Sequence, residues 1–236
     1  MTDRYIIRSE QGVTVLGGGL CTSQQLDAAL ACAPMLVAAN GGAANAQSMG
    51  RSPVHVVGDG DSLPAENLGK SINYHRIREQ DTTDFDKCIR SIEAPIILGV
   101  GVLAPRLDHG LASLGALLKF ADRRIVLIGD GDVCAVIPPR MRMTVARGTR
   151  LSVFPFVATH VWSEGLKWEM DGLYLSPDGM LGVSNRVVDE ELQLRQEHPG
   201  CLVIVPIGAL TSLVQALGEA AAWPETPSPF RTGKQD

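Results

Sequence analysis

The stretch His55-Val56-Val57-Gly58-Asp59-Gly60-Asp61-Ser62 decides how the chain is read. Its first half reads as a strand running into Gly58. Its second half sets two aspartates one residue apart directly after that strand. In open α/β sheets, ligands bind beyond the carboxyl ends of the strands. Two carboxylates on an extended, glycine-flanked segment can converge on one hard cation, and magnesium favours carboxylate, phosphate and water oxygens. The same residues suit a solvated Asp-Gly turn, so the stretch alone leaves both readings open.

Outward from it, the first 138 residues alternate strand and helix signals. Val13–Leu16, Met35–Ala39, Ile96–Val100 and Ile125–Ile128 are short apolar runs, and the first ends in Gly17-Gly18-Gly19. Thr22 or Ser23 can cap a helix carrying Leu26, Ala29 and Leu30. Asp84–Ile92 and Leu111–Phe120 are predicted helices. Continuous apolar runs with helices between them predict a parallel-type sheet covered on both faces.

The pattern changes at Pro138-Pro139. Leu151–Phe156, Thr159–Trp162, Leu173–Leu175, Met180–Val183, Glu191–Arg195 and Cys201–Pro206 are short runs. Asp171-Gly172, Ser176-Pro177-Asp178-Gly179 and His198-Pro199-Gly200 supply turns between them. They predict an all-β sandwich or barrel. Residues 209–222 then show helical spacing through Leu210, Val214, Leu217 and Ala221. The expected organisation is an α/β domain over residues 1–138, a β domain with a terminal helix over 139–223, and a loose tail over 224–236.

Composition narrows the partners. A net charge of −5 with no Lys/Arg run argues against nucleic acid. An acidic protein that takes a polyanion must neutralise it locally, usually with divalent metal. Five cysteines, an odd number with no CxxC pair, argue against a disulfide framework and for a reducing compartment. The polar start Met1-Thr2-Asp3-Arg4-Tyr5 lacks a signal core, and no run approaches the roughly 18 apolar residues of a membrane span. These features predict a cytoplasmic protein with no membrane partner.

Three further acidic clusters follow the first. In Gln80-Asp81-Thr82-Thr83-Asp84-Phe85-Asp86-Lys87, Thr83 can cap a helix that Asp84 opens. Phe85, Cys88, Ile89 and Ile92 form its apolar face, which leaves Asp84 and Lys87 off that face to meet a ligand. Simple capping by first-turn acids accounts for the same residues. Arg106-Leu107-Asp108-His109 places another aspartate at a helix start, where it reads as a cap or a ligand, with Arg106 as a surface cation or a phosphate clamp. Gly129-Asp130-Gly131-Asp132 reads as a hairpin turn.

Gly58-Asp59-Gly60-Asp61-Ser62, Asp81-x-x-Asp84-x-x-Lys87 and Arg106-x-Asp108-His109, in that order, resemble the three motifs of the thiamine pyrophosphokinase family. Gly165-Leu166-Lys167-Trp168 and Gly182-Val183-Ser184-Asn185 resemble its β-domain signatures. The resemblance runs from about Val13 to Pro206. It implies an ATP-binding α/β domain, a β-sandwich, and a homodimer with thiamine bound between subunits. It implies Asp59, Asp61, Asp84 and Asp108 around magnesium and the phosphates. Asp61, Asp84 and Asp108 are the candidate catalytic carboxylates. Asn40, Ser62, Lys87, Arg106 and His109 are implied toward ATP, and Gln80, Trp168, Ser184 and Asn185 toward thiamine, with Trp168 stacking on its pyrimidine ring. By itself Trp168 reads equally as a core aromatic.

The chain departs from the family pattern at three places. Asn40-Gly41-Gly42 stands where an aspartate usually leads, Ala104-Pro105 where two glycines precede the arginine, and Gly60 where a bulky apolar residue is usual. Asn40 offers an amide oxygen as a ligand but no charge. The implied reaction moves the pyrophosphoryl group of ATP to the thiamine hydroxyl and releases AMP. Positioning and charge neutralisation carry such transfers. Two alternatives use the same motifs: a pyrophosphokinase for another alcohol such as a pterin, and a non-catalytic nucleotide or thiamine-binding homologue.

Overall fold

The computed structural model describes residues 5–61, 72–103 and 106–225. Ser62, the Ala104-Pro105 pair and the tail from residue 226 lie outside the described residues. The chain divides into two compact units. The first holds the described residues up to Ala116 together with Leu127–Gly129. The second holds Leu117–Val126 and Asp130–Glu225.

The first unit runs β1 (Ile7–Arg8), β2 (Val13–Leu16), α1 (Ser23–Cys32), β3 (Met35–Ala39), α2 (Gly42–Ser48), β4 (His55–Gly58) and β5 (Asn73–Arg76). Then come α3 (Asp84–Ser91), β6 (Ile92–Glu93) and β7 (Ile97–Val100), followed by α4 (Leu107–Lys119) and β8 (Ile125–Ile128), each of which is divided between the two units. Its sheet has the order β7-β2-β3-β4-β5, and every pair is parallel. Val13 and Val15 on one face of β2 and Thr14 and Leu16 on the other have no exposed surface, as expected for a strand covered on both faces. From β2 the chain moves to β3 on one side, and it later returns to β7 on the other. The carboxyl ends of β2 and β7 therefore form the switch point at which such sheets open a crevice.

Local chemistry fixes the helix starts. Thr22 caps α1 and Thr83 caps α3, each through a reciprocal capping box, with Gln25 and Asp86 respectively. The α4 helix begins at Leu107, four residues before the apolar spacing from Leu111 suggests, so Asp108 lies inside its first turn. Two elements carry no apolar signal. The α2 helix is built from small and amide residues, and β5 is the edge strand Asn-Tyr-His-Arg with neither end buried.

The second unit contains β9 (Asp132–Val136), β10 (Arg140–Thr144), β11 (Arg150–Pro155), β12 (Thr159–Glu164) and β13 (Asp171–Leu175). It continues with β14 (Gly182–Arg186), β15 (Glu191–Gln196), β16 (Cys201–Pro206) and α5 (Leu210–Glu219). Two antiparallel layers form, β10-β15-β12-β13 and β14-β11-β16-β9. Burial alternates along β10, β12 and β15, so that layer covers protein with one face. Strand β9 lies before Pro138 yet pairs antiparallel with β16. Ladder partners rather than the proline pair assign it to this unit. Gly131 ahead of it takes φ 95, the left-handed conformation of a tight turn.

The terminal helix belongs to the second unit. Leu210, Leu213, Ala216 and Leu217 of α5 are buried. Arg124 donates from Nε to the Leu217 carbonyl at 2.6 Å and from a terminal nitrogen to the Ala220 carbonyl at 2.9 Å. It thereby satisfies carbonyls that the helix end leaves open. Trp223 Nε1 donates to the Ile137 carbonyl at 2.9 Å.

Candidate active site

In the first unit a cleft of about 650 Å³ opens at the carboxyl ends of the parallel strands. One wall is backbone: Gly17-Gly18-Gly19 after β2, Gly41 after β3 and Gly101 after β7. Asn45 of α2 fixes the triple-glycine loop by donating from Nδ2 to the Gly17 and Gly19 carbonyls at 2.9 and 2.8 Å. Gly42 is required by close approach, because a Cβ there would collide with the Leu16 carbonyl. That wall presents peptide groups and no bulk, the surface a phosphate chain needs.

The opposite wall is acidic. Asp59, Asp61 and Asp84 converge on one side chain, Asn40, which follows β3. Asn40 Nδ2 donates to Asp59 Oδ1 at 3.0 Å, Asp61 Oδ1 at 2.7 Å and Asp84 Oδ2 at 3.1 Å. Sequence reasoning expects an amide oxygen here, but the structure turns the amide nitrogen toward the acids. A donor is what three clustered acceptors select. Carboxylate oxygens are the donors a hard divalent cation prefers, although as they stand around the Asn40 amide no three acidic, histidine or cysteine side chains among the described residues are placed to hold one.

Lys87 joins them from α3. Its Nζ lies 3.2 Å from Asp84 Oδ1 and 3.8 Å from Asp59 Oδ2, and its side chain is 2% exposed. It lines the cleft, but it is engaged by two carboxylates rather than free on an open helix face. Burial pushes the Asp59 carboxyl upward. A hydrogen bond from Gln80, another from the Asp61 backbone and the Lys87 charge outweigh that effect and hold it at about 2. Asp59 is therefore a charge holder and a poor proton acceptor.

The loops beneath are pinned by residues that sequence reasoning passed over. Asp61 N donates to Asp59 Oδ1 at 3.2 Å, closing a local turn around Gly60, whose φ is 89. A Cβ at Gly60 would run into the Tyr74 hydroxyl. From the same strand, Arg76 Nε donates to the Asp59 carbonyl at 2.9 Å. So β5 supports the two-aspartate turn from behind, and its polar sequence hid it. Burial pushes the Tyr74 phenol up; Arg76 works against that, and the carboxylates of Asp59, Asp84 and Asp61 work with it. Glu79, paired with Arg90 of α3 at 2.5 Å, accepts from the backbone of Asp81 and Thr82 and anchors the loop that carries Gln80.

The remaining candidates divide between two places. Gln80 donates to Asp59 Oδ2 at 3.0 Å and so faces the acids. Arg106 and His109 line the cleft. Asp108 is not among the carboxylates at Asn40. It forms a two-pronged pair with Arg106, at 2.6 and 3.2 Å, and both side chains are exposed. The Arg106 hydrogen bond holds the Asp108 carboxyl below the usual range.

In the second unit a cleft of about 260 Å³ is lined by Trp168, Leu173, Met180, Val183 and Asn185 among others. Trp168 is 56% exposed, which sets aside the core reading. Lys167 Nζ lies 4.6 Å from its ring centroid. Asn185 is buried and spends its amide on the Trp168 backbone, accepting at 3.2 Å and donating at 2.7 Å. It orients the tryptophan. Ser184 holds φ 59, a conformation that costs about 1–3 kcal/mol in a non-glycine residue and concentrates at ligand sites.

Comparison with known proteins follows this division. Residues 26–128 match the family model of the thiamin pyrophosphokinase catalytic domain, and residues 130–197 match that of the thiamin pyrophosphokinase vitamin B1 binding domain. Thiamine pyrophosphokinase 1 of Arabidopsis thaliana is 27% identical over 166 residues. That match covers 61% of this chain and spans 62% of the relative's length. Thiamin pyrophosphokinase from Geobacillus thermodenitrificans superposes with a TM-score of 0.66 and 25% identity, over 82% of this chain and 96% of that one. The enzyme from Candida albicans superposes at 0.71 with 15% identity, over 85% and 92%, a likeness of fold alone.

Proposed function

The chain belongs to the thiamin pyrophosphokinase family, and from that premise we propose that it transfers the pyrophosphoryl group of ATP to the hydroxyl of thiamine. The products are thiamine diphosphate and AMP. The observation that carries this reading is the cleft of the first unit, with peptide groups on one wall and Asp59, Asp61, Asp84 and Lys87 on the other. Asp59, Asp61 and Asp84 would hold magnesium, which supplies charge neutralisation on the phosphate oxygens. Lys87 and Arg106 add fixed positive charge beside the triphosphate. Asp108 acts on Arg106 by holding its guanidinium. His109 edges the same end of the cleft.

The hydroxyl oxygen forms a bond to the β-phosphorus. The bond from that phosphorus to the bridging oxygen breaks, and AMP leaves with that oxygen. The hydroxyl proton passes to Asp61 or Asp84, carboxylates that line the same cleft. The exposed Trp168 face suits a flat cationic ring, through stacking and cation–π attraction, and Ser184 edges it. The compartment we assign is the cytoplasm. All five cysteines are free thiols, and among the described residues no helix is long and apolar enough to cross a membrane. A coupled assay should detect AMP from ATP with thiamine and none with a pterin alcohol. A folded protein that releases no AMP with thiamine overturns the reading.

We place thiamine between the subunits of a homodimer, with the acids of one chain serving the Trp168 of its partner. The expected result is complementation. Asp61→Asn chains and Trp168→Ala chains are each inactive, and mixing them restores activity, because a mixed dimer has one site with both changes and one with neither. Up to about half of the dimers are mixed under random exchange. Complete exchange, verified by size and chain tagging, with no returning activity would assign both residues to one chain.

A further inference from the structure

We infer that Asn40 is a built-in stand-in for a cation, which holds three carboxylates together before any ion arrives and limits the cluster to one divalent ion. The identity of the ion rests on the function proposed above; the geometry does not.

Three aspartates gathered at one point repel each other, and such a cluster opens unless something positive lies between them. Here the Lys87 ammonium reaches Asp59 and Asp84, and the group that reaches all three is an amide NH2. Asn40 Nδ2 stands 2.7 to 3.1 Å from one oxygen of each carboxylate, in the space between them, and the acids would have to close in around an ion once the amide left. The side chain is held in place. Asn40 is 4% exposed and adopts φ 41. Its N–H donates to the Val57 carbonyl at 2.8 Å, and its carbonyl accepts from Ala43 at 3.1 Å. Its Cβ packs directly over Gly58, where an added Cβ would lie only 2.7 Å away. A shared ion must therefore displace the amide.

Charge sets the number of ions. Three carboxylates against the one buried Lys87 ammonium leave two net negative charges, which one divalent cation balances. A second would leave the cluster positive. An aspartate in place of Asn40 would raise the deficit to three and remove the internal donor.

The test uses Asn40→Gly and Asn40→Asp. Glycine tolerates the left-handed backbone, so Asn40→Gly removes the amide with the least strain. Melting is measured first in chelator. Both variants should lose stability, Asn40→Asp by roughly 5 °C, because Lys87, which reaches only Asp59 and Asp84, is then the one cation left among the described residues to offset the acids. Calorimetric titration with Mn2+ alone follows. The unsubstituted protein should take one ion per chain. Asn40→Gly should bind it about fivefold more tightly, the equivalent of one or two net hydrogen bonds no longer displaced. Were Asn40 an ordinary ligand, the same variant would bind more weakly. Unchanged melting of both variants in chelator overturns the stand-in, as does weaker Mn2+ binding by Asn40→Gly. Two ions per unsubstituted chain overturn the limit to one. The melting arm needs neither cation nor activity, so it stands apart from the AMP assay.

Discussion

Asp61→Asn should lower turnover to less than about a tenth of the unsubstituted value at any magnesium concentration, because removing a ligand to a catalytic cation usually costs far more than that. The fold should survive. Asp61 is exposed at the end of the turn after β4, and its carboxylate makes the shortest of the three contacts to Asn40, at 2.7 Å. An asparagine keeps the size and one oxygen but removes a negative charge from a crowded cluster. Its melting temperature in chelator should therefore equal or exceed the original. Circular dichroism melts and turnover against magnesium measure both. Retained turnover above a tenth with a normal magnesium requirement would remove Asp61 from the cation site. A collapsed melt would make its role structural.

How much of this was legible in the residues depends on what kind of signal each position carries. Strands β3, β8 and β16 are unbroken apolar runs and β2 is interrupted only by Thr14, so run length and the flanking residues bound them. Thr22 and Thr83 announce helix starts through a local capping chemistry that tertiary structure does not alter. The β5 strand carries neither signal. Its residues alternate polar groups on a sheet edge, and its role comes from what Tyr74 and Arg76 support three-dimensionally, the turn around Gly60. The same limit applies to orientation. Helical spacing puts Lys87 beside Asp84, but only packing shows that it is buried between two acids. The sequence motif groups Asp108 with the other acids, whereas its own neighbour, Arg106, claims the carboxylate. An amide reads identically from either end in a sequence, and the direction of Asn40 is set by three acceptors contributed from the turn after β4 and from α3.

Lys87→Met should produce the largest combined loss. The side chain is 2% exposed and lies within 4 Å of two carboxylates, Asp84 at 3.2 Å and Asp59 at 3.8 Å. Methionine fills a similar volume but leaves three acids facing neutral donors alone, the Asn40 amide, Gln80 and the Asp61 backbone. Breaking a buried ion pair from one side costs about 3–5 kcal/mol. The lower end applies here because Asp84 is 30% exposed and water screens it. At 2–4 °C for each kcal/mol in a chain of this size, the melting temperature in chelator should fall by roughly 6–12 °C. Magnesium should recover part of that loss, since it supplies positive charge to the same carboxylates. Turnover should stay below about a hundredth even with stability recovered, because removing a fixed charge aimed at phosphate oxygens costs on the order of 100-fold or more. The two readouts therefore separate. Recovery of both stability and turnover by magnesium would confine Lys87 to holding the acids together. An unchanged melt in chelator would mean that its ammonium does not offset the cluster's charge, and the electrostatic account of the acidic wall would fail with it.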